Sequence, residues 1–402
     1  MDFTYTPEQE TFRGEIRDFL EKNSAEAFGR KGEGLGGSTA SLLDVRDDRR
    51  WNQLLDYHRR LYNAGYVALH WPKEWGGGGA SMIEQAIYQD EVLRLGLPLY
   101  GANQLAIDRI GPTIMHLGTE QQKKRYLLKM LTGEEIWCQG YSEPGAGSDL
   151  ASLQTRAIED GDYFVVNGQK VWTSNAQYSD WMILLVRTDP EAPKHKGISY
   201  LLVDMHSPGI TVRPLVQMTG SKGFNEVFFE DVRVPRKNLV GNKNQGWQVA
   251  ITTLMFERGG AGGGTGGQIP ELVKLAQRIP RNGGTAWDDA GVRQKIAEFY
   301  CEQQALKYSG FRQLTRRLKG LPPGPEGSIM KLCGSELNLR IQLFVMELLG
   351  PYSQFEYRAP FAIDHGKWLF RMLAARGGTI AAGTNQIQHN IIGERVLGLP
   401  KG

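Results

Sequence analysis

A glycine-rich segment in the first half of the chain carries side chains suited to holding a polar ring or a phosphate. Residues 138–150, CQGYSEPGAGSDL, place Tyr141, Ser142 and Ser148 among glycines. Glycine lets main-chain N–H groups approach a ligand closely, and the hydroxyls add donors that can be oriented. A hydroxyl-rich turn entering a β-domain would have the same composition, so this segment alone favours neither interpretation.

Two further segments could act on a cofactor. In residues 170–181, KVWTSNAQYSDW, Trp172 comes directly before Thr173 and Ser174. An indole face beside a hydroxyl can cover an aromatic cofactor and hydrogen-bond a ring nitrogen, although a lone Trp in a strand is more often a core residue. The third segment is GTNQIQHNIIGER, residues 383–395. The three segments therefore gain their meaning in combination.

The elements that must position these segments follow from the spacing of apolar residues. Helical spacing runs through residues 1 to about 135, and a glycine-rich stretch from Gly29 to Ser41 predicts a surface loop within it. From about 136 to 240 the pattern is that of strands, with Asn167-Gly168 predicting a hairpin turn. Helical spacing returns from Gln245, with loops expected at 280–285 and 320–327. The expected domains are therefore helical (1–135), β (136–242) and helical (243–402).

Composition narrows the functional class. The chain has 402 residues and a formal charge of +3, which is too small a surplus to indicate a nucleic-acid surface. Its three cysteines are far apart and its seven histidines are scattered, so neither a disulfide framework nor a metal site is expected. The acidic N-terminus and the lack of a long apolar run predict an intracellular, cytoplasmic protein without a membrane span.

Taken together, the motifs resemble those of the acyl-CoA dehydrogenase family across nearly the whole chain. The segments read S-E-P-x-A-G-S-D, then K-x-W-x-[ST], then G-T-x-x-I-Q-x-x-I-I, in this order. The opening MDF…TPEQ…RDFL and WPKEWGG at 71–77 belong to the same pattern. The resemblance implies an α+β multidomain fold, with an N-terminal all-α domain, a middle β-barrel or β-sandwich domain and a C-terminal four-helix bundle.

The resemblance also implies FAD as cofactor and an acyl-CoA as substrate. By position, Ser142 would donate to the flavin ring, Trp172 would lie against it and Ser174 would bond flavin N5. Thr384 and Gln386 match residues that hold the FAD phosphates. The full implied set of cofactor-binding residues is Gln139, Tyr141, Ser142, Gly147, Ser148, Trp172, Thr173, Ser174, Thr384 and Gln386.

The catalytic base is the main departure from the common family pattern. Most members carry a glutamate directly before the Gly-Thr of the third motif, whereas this chain has Ala382, which cannot accept a proton. A minority, similar to isovaleryl- and long-chain-type enzymes, carries Glu-Arg at the helix position that Glu257 and Arg258 occupy here. We therefore expect Glu257 to remove the α-proton. Helical spacing puts small residues on its face, namely Ala250, Thr253, Gly260, Ala261 and Gly264.

The substrate would contact a small group of these residues. The expected set is Ser148, Arg258, Ala382 and Gly383. The main-chain N–H of Ala382 is a candidate donor to the enolate oxygen.

An apolar run, Leu254 to Phe256, predicts partial burial around Glu257. The run GGAGGGTGG at 259–267 either widens the acyl cavity for a bulky group or forms an irregular segment, and the sequence favours neither.

Two further departures concern assembly. Members usually carry an Arg-x-x-Phe-Gly segment that reaches the neighbouring subunit's FAD, whereas this chain reads LAQRIPRNGGTAWDD there. The usual Gly-Gly-x-Gly is altered to Gly350-Pro351-Tyr352. In these departures the chain resembles the sterol-type members of the family, the α2β2 dehydrogenases of bacterial sterol side-chain degradation. We therefore expect an oligomer, with a heterotetramer containing a related subunit as one hypothesis and a homo-oligomer as the other.

Three alternative functions stay open at this stage. An electron-transfer flavoprotein is the expected electron acceptor, but an acyl-CoA oxidase would use the same site and react with oxygen. A non-catalytic or FAD-sharing partner subunit would explain Ala382, yet it would have no reason to carry Glu257 amid small residues. A flavin monooxygenase without a base is disfavoured for the same reason.

Overall fold

A computed structural model describes residues 4–28, 48–258, 268–321, 324–356 and 359–401. Its described residues form two compact units. The first unit takes its residues from Met1–Leu42, Ser81–Pro98 and Ala261–Gly402, and the second from Leu43–Ala80 and Leu99–Gly260. The expected domain boundaries at 135 and 242 stay a prediction, and the predicted loop from Gly29 to Ser41 lies outside the described residues.

Helices occupy both ends of the chain, and the β-region lies between them. In the described ranges the α-helices are α1 Pro7–Phe28, α2 Asp48–Asn63, α3 Met82–Leu95, α4 Gly111–Leu117, α5 Glu120–Thr132, α6 Gly246–Arg258, α7 Gln268–Ala276, α8 Ala290–Leu318, α9 Gly327–Leu349, α10 Lys367–Gly378 and α11 Asn385–Ile391. The strands are β1 Trp137–Gly140, β2 Arg156–Asp160, β3 Tyr163–Ser174, β4 Trp181–Arg187, β5 Ile198–Asp204, β6 Ile210–Leu215, β7 Phe224–Pro235, β8 Pro280–Arg281 and β9 Gly284–Thr285.

The last part of the helical region expected over residues 1 to about 135 is divided in the structure. It begins with the π-helical turn Ala106–Ile110, continues directly into α4 and restarts as α5. The break before α5 has a local cause, since the Thr119 hydroxyl accepts from the Gln122 N–H while the Gln122 side chain accepts from the Thr119 N–H. This reciprocal pairing begins a new helix.

Seven strands form one mixed sheet in the second unit. The order is β1-β4-β2-β3-β7-β6, with β5 pairing β4. β4 and β5 are almost continuously buried, whereas β3 and β7 alternate between buried and partly exposed residues. The alternation gives β3 one face toward the core and one face available to a ligand.

The hairpin turn predicted at Asn167-Gly168 is wrong. β3 runs through both residues, and the register against β7 shifts between Val166 and Gly168, which marks a β-bulge. The Asn167 side chain exchanges hydrogen bonds with the Asp231 main chain and carboxylate, at 3.0 and 2.9 Å. An amide side chain that pairs across the sheet thus stabilises a bulge where the dipeptide alone indicated a turn.

The C-terminal helices share a core of their own in the first unit. Buried residues of α7 to α10 form this core, including Leu272, Phe299, Leu337, Ile341 and Trp368. Residues 280–285, expected to be a loop, form the short hairpin β8–β9, since Asn282 and Gly283 both have the positive φ that such a turn requires.

A buried carboxylate joins the N-terminal helices of the first unit. Glu91 of α3 is 1% exposed and lies 2.8 Å from Arg13 and 2.7 Å from Arg17, both of α1. Arg94 adds a third contact at 2.7 Å. Burial opposes ionisation, but the three guanidinium groups lower the pKa of Glu91 to about 2. The charged carboxylate therefore stabilises the packing of α1 on α3.

Two findings bear on the predicted class of protein. Within the described ranges, no helix has the length and apolar character needed to cross a bilayer. Nor do the described His, Cys, Asp and Glu side chains gather in any group of three or more that would suit a metal ion.

Candidate active site

The glycine-rich loop begins where β1 ends in the second unit. Gly140 packs so closely on β4 that a Cβ there would lie 2.4 Å from the Met182 sulfur. Tyr141 is buried and Ser142 is half-buried, whereas Gly147 and Ser148 are exposed. No heavy atom lies within 4 Å of where a Gly147 Cβ would be. The loop thus offers accessible backbone and hydroxyl groups on one side and is anchored on the other.

Trp172 stands out at the end of β3. Its φ is 61°, at a second register shift against β7, and 60% of its surface is exposed. A left-handed backbone costs a residue with a side chain about 1–2 kcal/mol. The indole ring contacts Phe224 edge-on, with ring centroids 6.0 Å apart. A strained backbone that presents an aromatic face to solvent is typical of a ligand site rather than of a core.

Two of the predicted cofactor-binding residues, Thr173 and Gln139, have unsatisfied polar atoms. Thr173 is fully buried, and its hydroxyl oxygen has no hydrogen-bond partner among the described residues. The same holds for the buried Oε1 atom of Gln139. An unmet buried polar group costs about 1–3 kcal/mol, so such atoms indicate a missing partner. An exposed indole followed directly by a residue with an unmet hydroxyl fits a polar aromatic ring such as flavin.

The loop and β3 are brought together by the backbone. The Val171 N–H donates to the Ser142 carbonyl at 2.9 Å. This bond puts Ser142 beside the strand that carries Trp172, Thr173 and Ser174. The structure therefore assembles the first two predicted cofactor segments in one place.

A ring contact and a chain of hydroxyl groups connect the loop with α6. The Tyr141 and Tyr200 rings meet edge-on at 6.3 Å, and the Tyr200 hydroxyl lies 3.3 Å from Thr253 Oγ1. Thr113 of α4 donates to Thr253 at 3.0 Å. Burial raises the pKa of Tyr200, which keeps this phenol neutral. Sequence reasoning placed Thr253 on the face of Glu257 but missed Thr113 and Tyr200, which carry no motif of their own.

Glu257 and Arg258 are the last two residues of α6, and the orientation of their side chains lies outside what the structure describes. Thr253, one turn earlier, is fully buried. The apolar run before Glu257 is less buried than expected, because Met255 is 53% and Phe256 37% exposed in the chain on its own. The glycine run at 259–267 lies outside the described residues.

The third segment lies in the first unit, in the turn before α11. Ala382 and Gly383 have φ values of 54° and 85°. The buried Gln388 side chain holds this turn, donating to both their carbonyls at 3.1 Å. Ala382 is an exposed residue, and no described group accepts a hydrogen bond from its N–H. The turn therefore keeps one main-chain donor available to a ligand.

Thr384 and Gln386 flank the start of α11. The Thr384 hydroxyl accepts from the Ile387 N–H at 3.2 Å, which makes it the N-cap, and Gln386 is exposed. Asn385 between them is buried and accepts from Lys331 at 2.8 Å and Ser335 at 3.0 Å. A rigid helix start thus presents Thr384 and Gln386.

Comparisons with known proteins match one protein family over most of the chain. Models of the acyl-CoA dehydrogenase N-terminal, middle and C-terminal domains match residues 38–134, 138–232 and 244–397. The chain belongs to the acyl-CoA dehydrogenase family. It is therefore an oxidoreductase acting on acyl-CoA, in a family of FAD flavoproteins, and the predicted family and fold class are confirmed.

Individual relatives sharpen the comparison. Acyl-CoA dehydrogenase IpdE1 of Mycobacterium tuberculosis is 37% identical over 402 residues, covering 98% of each chain. The solved Tcur3481-Tcur3483 steroid ACAD matches with a TM-score of 0.85 and 31% identity, over 100% of both chains. The ChsE4-ChsE5 complex from Mycobacterium tuberculosis matches with a TM-score of 0.83 and 34% identity, again over 100% of both chains. These similarities support the predicted likeness to sterol-type members.

Proposed function

We propose that this chain oxidises an acyl-CoA thioester to the trans-2-enoyl-CoA, with Glu257 removing the α-proton. The observation that supports it best is Trp172, an exposed indole on a strained backbone beside the unmatched hydroxyl of Thr173. FAD would be held there by Gln139, Tyr141, Ser142, Gly147, Ser148, Trp172, Thr173 and Ser174, and elsewhere by Thr384 and Gln386. When bound, FAD supplies the acceptor for the hydride that leaves the β-carbon.

The remaining chemistry is acid–base chemistry of the chain itself. Ala382 has no side-chain proton acceptor, so the base must come from another position, and Glu257 is the carboxylate at the alternative family position. The Ala382 N–H, which has no acceptor among the described groups, would donate to the thioester oxygen as negative charge develops on it. Ser148, Arg258 and Gly383 complete the proposed substrate contacts.

For the acyl group we propose a bulky polycyclic residue of the steroid type. Support comes from the likeness to the steroid ACAD over the full chain.

For electron transfer we propose an electron-transfer flavoprotein as the acceptor. Peroxide formation during turnover would instead identify an acyl-CoA oxidase.

We further propose that the chain works with a related subunit. The region that would hold the Arg-x-x-Phe-Gly segment forms the end of α7 and the short hairpin β8–β9. Gly350-Pro351-Tyr352 begins a 3₁₀ turn, with φ of 51° at Gly350. A relative of known structure, ChsE4-ChsE5, is a complex of two proteins. Full flavin occupancy of the chain purified alone would contradict this part of the proposal and favour a homo-oligomer.

The base is tested by the Glu257→Gln variant of the FAD-loaded enzyme. We expect the rate of thioester oxidation to fall by about a hundredfold or more while the flavin spectrum is kept, because a positioned base contributes about 10²–10⁴ in rate. Glu230→Gln, at an exposed glutamate of β7, is the control. Adding Ala382→Glu to Glu257→Gln should restore part of the activity. An undiminished rate in Glu257→Gln would refute the assignment of the base.

A further inference from the structure

A fully buried lysine joins the two segments proposed to hold the flavin. Lys170 of β3 has no exposed surface, and its Nζ donates to the Tyr141 carbonyl at 3.1 Å and to Glu143 Oε1 at 2.7 Å. Its sequence neighbour Val171 donates its N–H to the Ser142 carbonyl. Three successive residues of the glycine-rich loop are thus fixed to two successive residues of the strand.

Glu143 extends these contacts to the far end of the loop. Its carboxylate accepts from the Gln154 N–H at 2.7 Å and from the Thr155 N–H at 2.9 Å, in addition to Lys170. One carboxylate therefore hydrogen-bonds both to β3 and to the end of the loop that runs from Tyr141 to Gln154. Trp172, Thr173 and Ser174 follow Lys170 directly.

Burying this pair is costly. Burial lowers the pKa of Lys170 to about 8, although the charge of Glu143 opposes the shift. Burial would raise the pKa of Glu143, but Lys170 and the N–H donors hold it below its ordinary value. Buried ion pairs are often no more stabilising than apolar residues of the same volume. A contribution to fold stability alone therefore gives little reason for a charged pair at this place.

We propose that Lys170 and Glu143 are positioning residues, which fix the glycine-rich loop against β3 at the spacing that FAD requires. This inference rests on the proposed cofactor site. The two residues do not contact the ring in this proposal. They act through Tyr141 and Ser142 on one side and through Trp172 and Ser174 on the other.

The experiment compares wild type with a Lys170→Met/Glu143→Gln double variant, each isolated with any subunit that copurifies. The double variant removes both charges and keeps an amide oxygen for the Gln154 and Thr155 N–H groups. We expect the melting temperature of the FAD-free protein to stay close to that of wild type. The dissociation constant for FAD should rise about tenfold or more, with a changed flavin absorption envelope. A purely structural pair would lower the melting temperature and leave the bound flavin's spectrum unchanged.

A matched control lies in the same sheet, where Arg233 and Asp160 pair at 2.6 Å on its exposed side. Arg233→Met/Asp160→Asn should leave FAD affinity unaltered. If the double variant of the buried pair does not fold, the single Glu143→Gln variant carries the same expectation for FAD affinity and spectrum, with a lower melting temperature because Lys170 loses its carboxylate partner. FAD affinity and spectrum equal to wild type in the folded variant would overturn the positioning role. A wild-type assembly unable to bind FAD would contradict the proposed function itself.

Discussion

Trp172 combines three properties that core tryptophans do not share. Its backbone is left-handed, its strand is locally bulged, and most of its ring is exposed. By contrast, Trp71, Trp137 and Trp368 are almost completely buried. Folding alone would favour glycine at this φ. The indole at this position is therefore better explained by contact with a ligand than by a contribution to fold stability.

A Trp172→Gly variant tests this reasoning at the residue scale. Glycine relieves the left-handed strain while it removes the contact with Phe224, so we expect the FAD-free protein to unfold within about 1 kcal/mol of wild type. FAD affinity should fall clearly. The measurements are chemical denaturation and FAD titration.

The buried Trp137 provides the contrast for Trp172→Gly. Trp137→Ala should cost about 3–5 kcal/mol of stability, as for other large core residues. If Trp172→Gly were as destabilising as Trp137→Ala, Trp172 would be a structural residue.

At the scale of single elements, β3 shows what a local pattern can and cannot predict. The sequence predicted strands over the region that contains it, about 136 to 240, and the structure has strands there. The turn predicted at Asn167-Gly168 is absent from the structure. Whether the chain turns or bulges there depends on contacts with Asp231 and Thr155, which lie outside the local pattern. A dipeptide indicates which backbone angles are low in energy, whereas long-range pairing decides between a turn and a bulge.

Gly168→Ala tests the packing at this bulge. A Cβ there would lie 2.7 Å from the Thr155 Cα, so something in the sheet must shift. We expect a loss of about 2 kcal/mol or more of unfolding free energy, comparable to other overpacked sites. Gly161→Ala is the matched control, since its φ is also positive but no atom lies within 4 Å of the added Cβ. Equal losses in the two variants would show that φ, not contact, determines the cost.

At the proposed site, too, local sequence patterns did not reveal contacts between residues that are distant in the sequence. The motifs named the loop, Trp172 and the turn at Ala382, because these residue types have intrinsic chemistry. The hydroxyls of Thr113 and Tyr200 meet Thr253 only through the packing of α4 and β5 on α6. Nothing local in the sequence distinguishes a buried Thr or Tyr that joins such a chain from an ordinary core residue.

At the scale of the whole molecule, pH should act through Glu91. Its folded-state pKa of about 2 is below the ordinary value of 4.5. The unfolded chain therefore binds a proton first as the pH falls, so the stability that Glu91 contributes is fully present above about pH 4.5 and is lost toward pH 2. The melting temperature of wild type should fall through this range.

The Glu91→Gln variant should lose about 1–3 kcal/mol at neutral pH, as expected for a charged hydrogen-bonded group, and show a flatter acid profile. Glu10→Gln is the control, because Glu10 is exposed and lies 3.7 Å from Arg13. An acid profile of Glu91→Gln parallel to that of wild type would show that other carboxylates determine the response.

The exposed indole of Trp172 also gives the protein an optical reporter. A ring open to water emits at longer wavelength than the enclosed rings of Trp71, Trp137 and Trp368, and dissolved iodide reaches it first. A flavin stacked nearby would absorb that emission. The arrival of the cofactor would therefore be visible in the intrinsic fluorescence of the unlabelled chain.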